Sequence, residues 1–150
     1  MTTQKISMAI KATPEQVWHG LTDGAVTPAY YLGFRAEYGT LQAGGQYRYT
    51  AGGGDMITGQ VVAVEPGRTL ITTFNGHWEP GVAALPESTV TFSLFEPFMP
   101  MPGVTFLSLV HEGLPETEDA AHLEVGWVAI LSGLKTLLET GAPLAGPPQG

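Results

Sequence analysis

Polar and apolar residues alternate from Lys5 to Ile10, with Ile6, Met8 and Ile10 on one side, and this period of two predicts a half-buried strand. Ala12-Thr13-Pro14-Glu15 stops it. Thr13 ahead of Pro14 has the chemistry of a helix N-cap and first helical residue, so a short helix is expected over Pro14 to Asp23 with Val17, Trp18 and Leu21 on one face. A second short helix is expected around Ala25 to Tyr31, broken at Gly33. Beyond it, strands are expected near Phe34–Tyr38, Gln46–Thr50, Met56–Glu65, Thr69–Asn75, Ser88–Phe95 and Val104–Glu112, rich in the Val, Thr, Phe and Tyr that pleated surfaces favour. Turn-forming runs such as Ala43-Gly44-Gly45, Gly52-Gly53-Gly54-Asp55, Glu65-Pro66-Gly67 and Pro102-Gly103 separate them. Strands joined by such turns make an antiparallel meander. Its inward rows are expected to be Leu70, Thr72, Phe74; Val90, Phe92, Leu94; and Leu107, Leu109, His111.

After Pro115 the period changes from two to 3.6. Ala120, Leu123, Trp127, Ile130, Leu131, Leu134, Leu137 and Leu138 recur at spacings of three and four, Thr117 is a candidate N-cap, Glu118 and Asp119 suit the positive end of a helix dipole, and Gly141 supplies a stop. A long C-terminal helix lying on the sheet follows. Gly126 and Gly133 inside it each cost up to about 1 kcal/mol against alanine, so a close backbone approach or open volume is expected beside them, and a cavity wall with it. The reading is α+β, with a curved antiparallel sheet of about seven strands, two short helices after the first strand, a domain over residues 1–140 and a flexible tail over 141–150. The stretch Gly76 to Pro86 is expected as a long loop between two strands.

Composition narrows the partners. The chain has 150 residues, the size of one domain, and no cysteine, which removes disulfides, thiolate metal sites and a cysteine nucleophile. Six basic residues against fourteen acidic give a net charge of -8, and the six are scattered, so neither nucleic acid nor an anionic membrane is an expected partner. The N-terminus lacks the unbroken apolar run of a signal peptide and no stretch approaches about 18 apolar residues, so a cytoplasmic location is expected. Charged residues are only 13% against 43% hydrophobic, implying either an unusually apolar interior or a surface covered by a partner.

Several local patterns carry a resemblance: "ATPEQVWHGLTD" at Ala12–Asp23, "GQVVAVEPGRTLITTF" at Gly59–Phe74, "STVTFSL" at Ser88–Leu94, "HEGLP" at His111–Pro115 and "GWVAILSGLKTLLETG" at Gly126–Gly141. Together with the element order they resemble the SRPBCC superfamily, the START and birch-pollen-allergen-like proteins, and within it the family named for the activator of the heat-shock-protein-90 ATPase. The resemblance implies a helix-grip fold, in which the sheet wraps the long helix. It also implies a small lipid, hormone, polyketide or aromatic ring bound between the two, with some members acting as cyclases, dehydratases or hydrolases. The run Glu96–Gly103, "EPFMPMPG", departs from the short polar turn found in many relatives.

The pocket-lining candidates are Phe74, Phe92, Leu94, Leu107, Leu109, Trp127 and Leu131, with Tyr47, Tyr49 and His111 as polar contacts; the competing reading is that these simply fill a core. His111, on the inward face, is the candidate catalytic residue for an acid-base enzyme, or else a buried imidazole satisfied by the backbone. Glu112 points the other way and forms no dyad with it. Trp78 opens the long loop and is a candidate entrance aromatic. His77 and Glu79 beside it are two apart, yet no spacing matches a metal motif, so neither metal nor cofactor is expected. Phe98, Met99 and Met101, with Phe95 among three prolines, form an apolar loop suited to a homodimer contact, unless it folds back on its own core. The functional expectations are binding of a small hydrophobic or aromatic ligand, a cyclase or hydrolase using His111, or a co-chaperone-like interaction through the outer sheet face.

Overall fold

The computed structural model describes residues 1–145. In chain order the elements are β1 (Thr2–Ile10), α1 (Pro14–Thr22), a 3-10 turn (Thr27–Ala29), β2 (Arg35–Tyr38), β3 (Gln46–Ala51), β4 (Gly54–Glu65), β5 (Thr69–Gly76), α2 (Pro80–Ala83), β6 (Ser88–Phe95), β7 (Thr105–Leu114) and α3 (Glu118–Thr140). The seven strands form one antiparallel sheet in the order β1-β7-β6-β5-β4-β3-β2. The meander runs from β2 to β7, and β1 adds to its far edge. Pairing shifts at Tyr49/Thr50 and Val61/Ala63 mark bulges, which bend and twist the strands that carry them.

The expected inward rows meet in register. Leu70 faces Phe92, which faces Leu109; Thr72 faces Val90, which faces His111; and Leu94 faces Leu107. All of these are buried. On the other face Thr91 pairs with Val110, and Ser93 pairs with Ser108.

Helix ends follow their local chemistry. The Thr13 hydroxyl accepts from the Gln16 amide and the Gln16 side chain accepts from the Thr13 amide, a reciprocal capping box that satisfies two otherwise unpaired donors. Thr117 accepts from the Ala120 amide at 3.2 Å, Glu118 and Asp119 occupy the first turn of α3, and Gly141 ends it at φ 80°, a left-handed conformation that costs glycine little. α3 contains an 18-residue window apolar enough to match a membrane span by length and composition, contrary to the reading that no stretch approaches one. It lies instead across the inner sheet face, burying Leu123, Trp127, Ile130, Leu131 and Leu134.

Two elements differ from expectation. The second helix contracts to the 3-10 turn, because Thr27 anchors that segment to β2: its hydroxyl accepts from the Ala36 amide at 2.9 Å while its carbonyl accepts from Tyr30 and Tyr31. Leu32 then takes φ 55°, a left-handed conformation uncommon for a branched residue, ahead of Gly33. The loop after β5 holds one helical turn, α2, started by Pro80. Of the expected tail, Gly141–Ala145 is exposed and outside regular structure, and 146–150 lie outside the described residues.

Candidate functional site

Gly126 and Gly133, alike in sequence, resolve into the two expected alternatives. A Cβ placed on Gly133 would stand 3.2 Å from Tyr30 Cβ and 3.3 Å from the Tyr30 carbonyl oxygen, so this glycine permits close approach of the segment after the 3-10 turn. A Cβ on Gly126 would meet nothing within 4 Å. The open space beside it is a cavity of about 250 Å³. Its walls are Leu123, Gly126, Trp127 and Ile130 from α3, Tyr31, Leu32 and Phe34 from the segment before β2, Met56 and Ile57 from β4, Phe74 from β5, and Trp78, Glu79 and Val82 around α2, with His122 at the helix. Toward the other end of α3 the helix packs on α1, where a Cβ on Gly20 would lie 2.9 Å from Leu134 Cδ1.

Five of the lining side chains are aromatic and their rings close a circuit. Centroid separations are 6.1 Å for Tyr31–Phe34, 6.3 Å for Phe34–Trp78, 6.3 Å for Trp78–Phe74, 6.1 Å for Phe74–Trp127 and 5.9 Å for Trp127–Tyr31. Interplanar angles run from 33° to 85°, so the rings are tilted or edge-on rather than stacked. Trp78 is 36% exposed, and its ring lies so close over Gly76 that a Cβ there would come within 2.8 Å of it. Glycine at 76 lets the indole lie down at the rim.

His111 sits behind this circuit and does not line the cavity. Its ring is 4.8 Å from Phe74 and 5.9 Å from Trp127. The Trp127 indole N–H donates to Nδ1 at 3.0 Å, which makes Nδ1 the acceptor and leaves Nε2–H to donate to the Ser88 hydroxyl at 2.7 Å. Ser88 in turn donates toward the Phe74 carbonyl oxygen at 3.4 Å. Both ring nitrogens are engaged, the side chain is fully buried, and burial lowers its pKa to about 4. The partners are side chains on β6 and α3, not the backbone. The same bond directs the polar atom of Trp127 toward His111.

Of the remaining sequence candidates, Phe74, Trp78 and Trp127 reach the cavity, whereas Tyr47, Tyr49, Phe92, Leu94, Leu107, Leu109 and Leu131 do not. The leucines and Phe92 form the tightly packed centre between sheet and helix. Tyr47 donates to the Thr73 carbonyl, and Tyr49 shares a 3.3 Å hydroxyl pair with Tyr38, whose pKa burial raises to about 12. These hydroxyls are directed into the fold. The lining residues not nominated from sequence are Tyr31, Leu32, Phe34, Met56, Ile57, Val82, His122, Leu123 and Ile130. For Leu123 and Ile130 the signal was present, since they flank Gly126 at helical spacing.

His77 turns to the Thr58 hydroxyl at 2.7 Å rather than toward Glu79. Among the described residues no group of three or more His, Asp or Glu side chains is gathered in a way that could hold a metal. The Glu96–Gly103 loop stands clear of the core, with Phe98 96% exposed and Met99 and Met101 partly so. A more open groove of about 510 Å³ runs between that loop and Ala12-Thr13-Pro14.

A curved antiparallel sheet holding a long C-terminal helix, with an aromatic cavity between them, defines a helix-grip protein of the SRPBCC class. The chain belongs to the family of activator of Hsp90 ATPase homolog 1-like proteins, whose family model matches residues 11–139. Similar solved structures include a Mesorhizobium loti protein, 26% identical, with a TM-score of 0.74 over 92% of this chain and 97% of that one. The Aha1 dimer of Colwellia psychrerythraea is 21% identical, with a TM-score of 0.70 over 94% and 98%. An HSP90 activator of Plasmodium falciparum is 19% identical, with a TM-score of 0.71 over 95% and 99%. No curated protein matches the sequence.

Proposed function

We propose that this protein is a binding module that holds a compact apolar or aromatic molecule in the cavity beside Gly126. The observation that carries this reading is the cavity itself, walled by five aromatic rings, with a helix-interior glycine where a larger side chain would have filled the space. At about 250 Å³ it lies near the lower end of the roughly 300–1,000 Å³ typical of small-molecule sites. That size favours a ligand of one or two rings.

Native mass spectrometry of freshly purified protein, compared with the denatured mass, tests the reading. A bound small molecule lost on denaturation is expected from the wild type, and Gly126→Leu, which fills the cavity, is expected to fold and to carry none. Ligand retained at equal occupancy by the variant would refute the assignment to this cavity.

Catalysis by His111 is the weaker reading, because both ring nitrogens are hydrogen-bonded inside the core and Phe74 and Trp127 stand between the imidazole and the cavity. A co-chaperone role is also weaker. The Plasmodium relative is described as an HSP90 activator, but at 19% identity the likeness extends to the fold alone, and the outer sheet face here carries threonine and serine pairs such as Ser93–Ser108.

Assembly as a homodimer through Phe98, Met99 and Met101 is supported by the exposure of that apolar loop and by the Colwellia relative, whose structure is of a dimer. Phe98 carries this part of the reading, since a phenylalanine left 96% exposed gains nothing from its own fold.

A further inference from the structure

The lining combines many aromatic rings with an absence of positive side chains. Tyr31, Phe34, Trp78, Phe74 and Trp127 close their circuit at separations of 5.9–6.3 Å. An idealised flat pentagon of that size has its vertices about 5 Å from its centre, inside the ~6 Å over which an aromatic face attracts a cation. The attraction arises from the ring quadrupole, whose negative face substitutes for the water a large cation gives up. Among the described residues no lysine or arginine lines the cavity.

The one carboxylate that the described residues place in the wall is Glu79. Among the described residues it makes no ion pair, and although it occupies the N-cap position of α2 its side chain makes no capping bond. Asp119 packs on Gly81 of the same turn, so closely that a Cβ on Gly81 would come within 2.5 Å of its carboxylate oxygens, although Asp119 itself does not line the cavity. His122, also in the lining, lies 3.9 Å from Glu118 on its own helix. A ligand bearing a carboxylate or phosphate would meet a carboxylate and find no fixed cation. A neutral hydrocarbon would leave Glu79 unused.

We infer that the cavity selects small organic cations, quaternary or aryl-substituted ammonium compounds, with the charged nitrogen held within the five-ring circuit and balanced by Glu79. This rests on the cavity-binding reading above and names its ligand class. The volume of about 250 Å³ agrees with a headgroup-sized molecule rather than a long acyl chain.

The test compares three probes of one shape on the full-length chain: phenyltrimethylammonium, its uncharged isostere tert-butylbenzene, and benzenesulfonate as the anion. Titrations are followed by tryptophan fluorescence and by the indole N–H resonances of Trp78 and Trp127. The cation is expected to bind saturably and roughly tenfold more tightly than the isostere, with no binding of the anion. Glu79→Gln, a change at an exposed rim position, is expected to reduce cation affinity several-fold and to leave the isostere unaffected. Trp78→Leu is expected to weaken the cation while the protein stays folded by circular dichroism. If tert-butylbenzene binds as tightly as the cation, the cation inference is overturned while the cavity reading stands. If no probe perturbs Trp78 or Trp127, the cavity reading itself falls, and the inference with it.

Discussion

A histidine buried among aromatic rings is neutral for a definite reason: charging it would place an uncompensated cation in the core. The Trp127 N–H directed at Nδ1 adds a donor where a protonated imidazole would itself need to donate. With the folded pKa at about 4 and the ordinary value near 6.5, the unfolded chain binds more protons at His111 between those two pH values. Stability from this residue is therefore complete above about pH 6.5, falls as pH drops through the window, and falls no further below about pH 4. The separation corresponds to about 3 kcal/mol. Urea unfolding at pH 7.5 and pH 4.5 checks it: His111→Gln should be less stable than wild type at pH 7.5, and the gap should narrow by about 2 kcal/mol or more at pH 4.5. An unchanged gap would show that His111 protonates as freely in the fold as in water. The inward orientation of His111 was legible from alternation along β7. Its bonds to Ser88 and Trp127 were not, since these partners lie 23 and 16 residues away and depend on how β6 and α3 pack.

Within elements, the strand and helix signals were local and most were readable. The capping residues Thr13 and Thr117 and the glycine stop at Gly141 lie where their chemistry put them, because each acts within a few residues of itself. The 3-10 turn was read as a longer helix because the bond from the Ala36 amide to Thr27 that shortens it crosses to another strand. The two glycines of α3 show the same limit. Both signalled something beside the helix, but only the neighbours decide which. Gly126→Ala should raise stability by up to about 1 kcal/mol through helix propensity, since the added methyl enters open space, and should weaken ligand binding. Gly133→Ala should lower stability by about 1 kcal/mol or more despite the same propensity gain, because Tyr30 cannot easily retreat while its hydroxyl donates to the Gly20 carbonyl at 2.6 Å. Thermal melts of the pair would decide the matter; a destabilised Gly126→Ala beside a stabilised Gly133→Ala would reverse the assignment of open space and close approach.

At the scale of the whole molecule, the apolar Glu96–Gly103 loop and the low charge content belong to one question, how such a surface stays dispersed in water. Dimerisation across the loop would cover Phe98, Met99 and Met101. Sedimentation equilibrium at micromolar concentration should give twice the chain mass, and Phe98→Ser with Met99→Ser should restore the monomer. Because these side chains are exposed in the single chain, the double variant should unfold within about 0.5 kcal/mol of wild type once dimerisation is discounted. A dimer that survives the change would move the interface elsewhere.

The sequence alone determined the order of the strands, α1 and α3, the inward rows of the sheet and the stripe of α3, because periodicity, caps and turns act over a few residues. It also placed Phe74, Trp78 and Trp127 among the residues to watch. Only the tertiary structure decided where volume remains. Whether an apolar side chain fills a core or walls a cavity depends on its distance from residues far along the chain, and here the segment before β2, α2 and the first half of α3 converge around Gly126 and leave open volume beside it. The aromatic circuit is a property of that convergence: its five rings come from three separate stretches of sequence, Tyr31 with Phe34, Phe74 with Trp78, and Trp127, and no local pattern links the three.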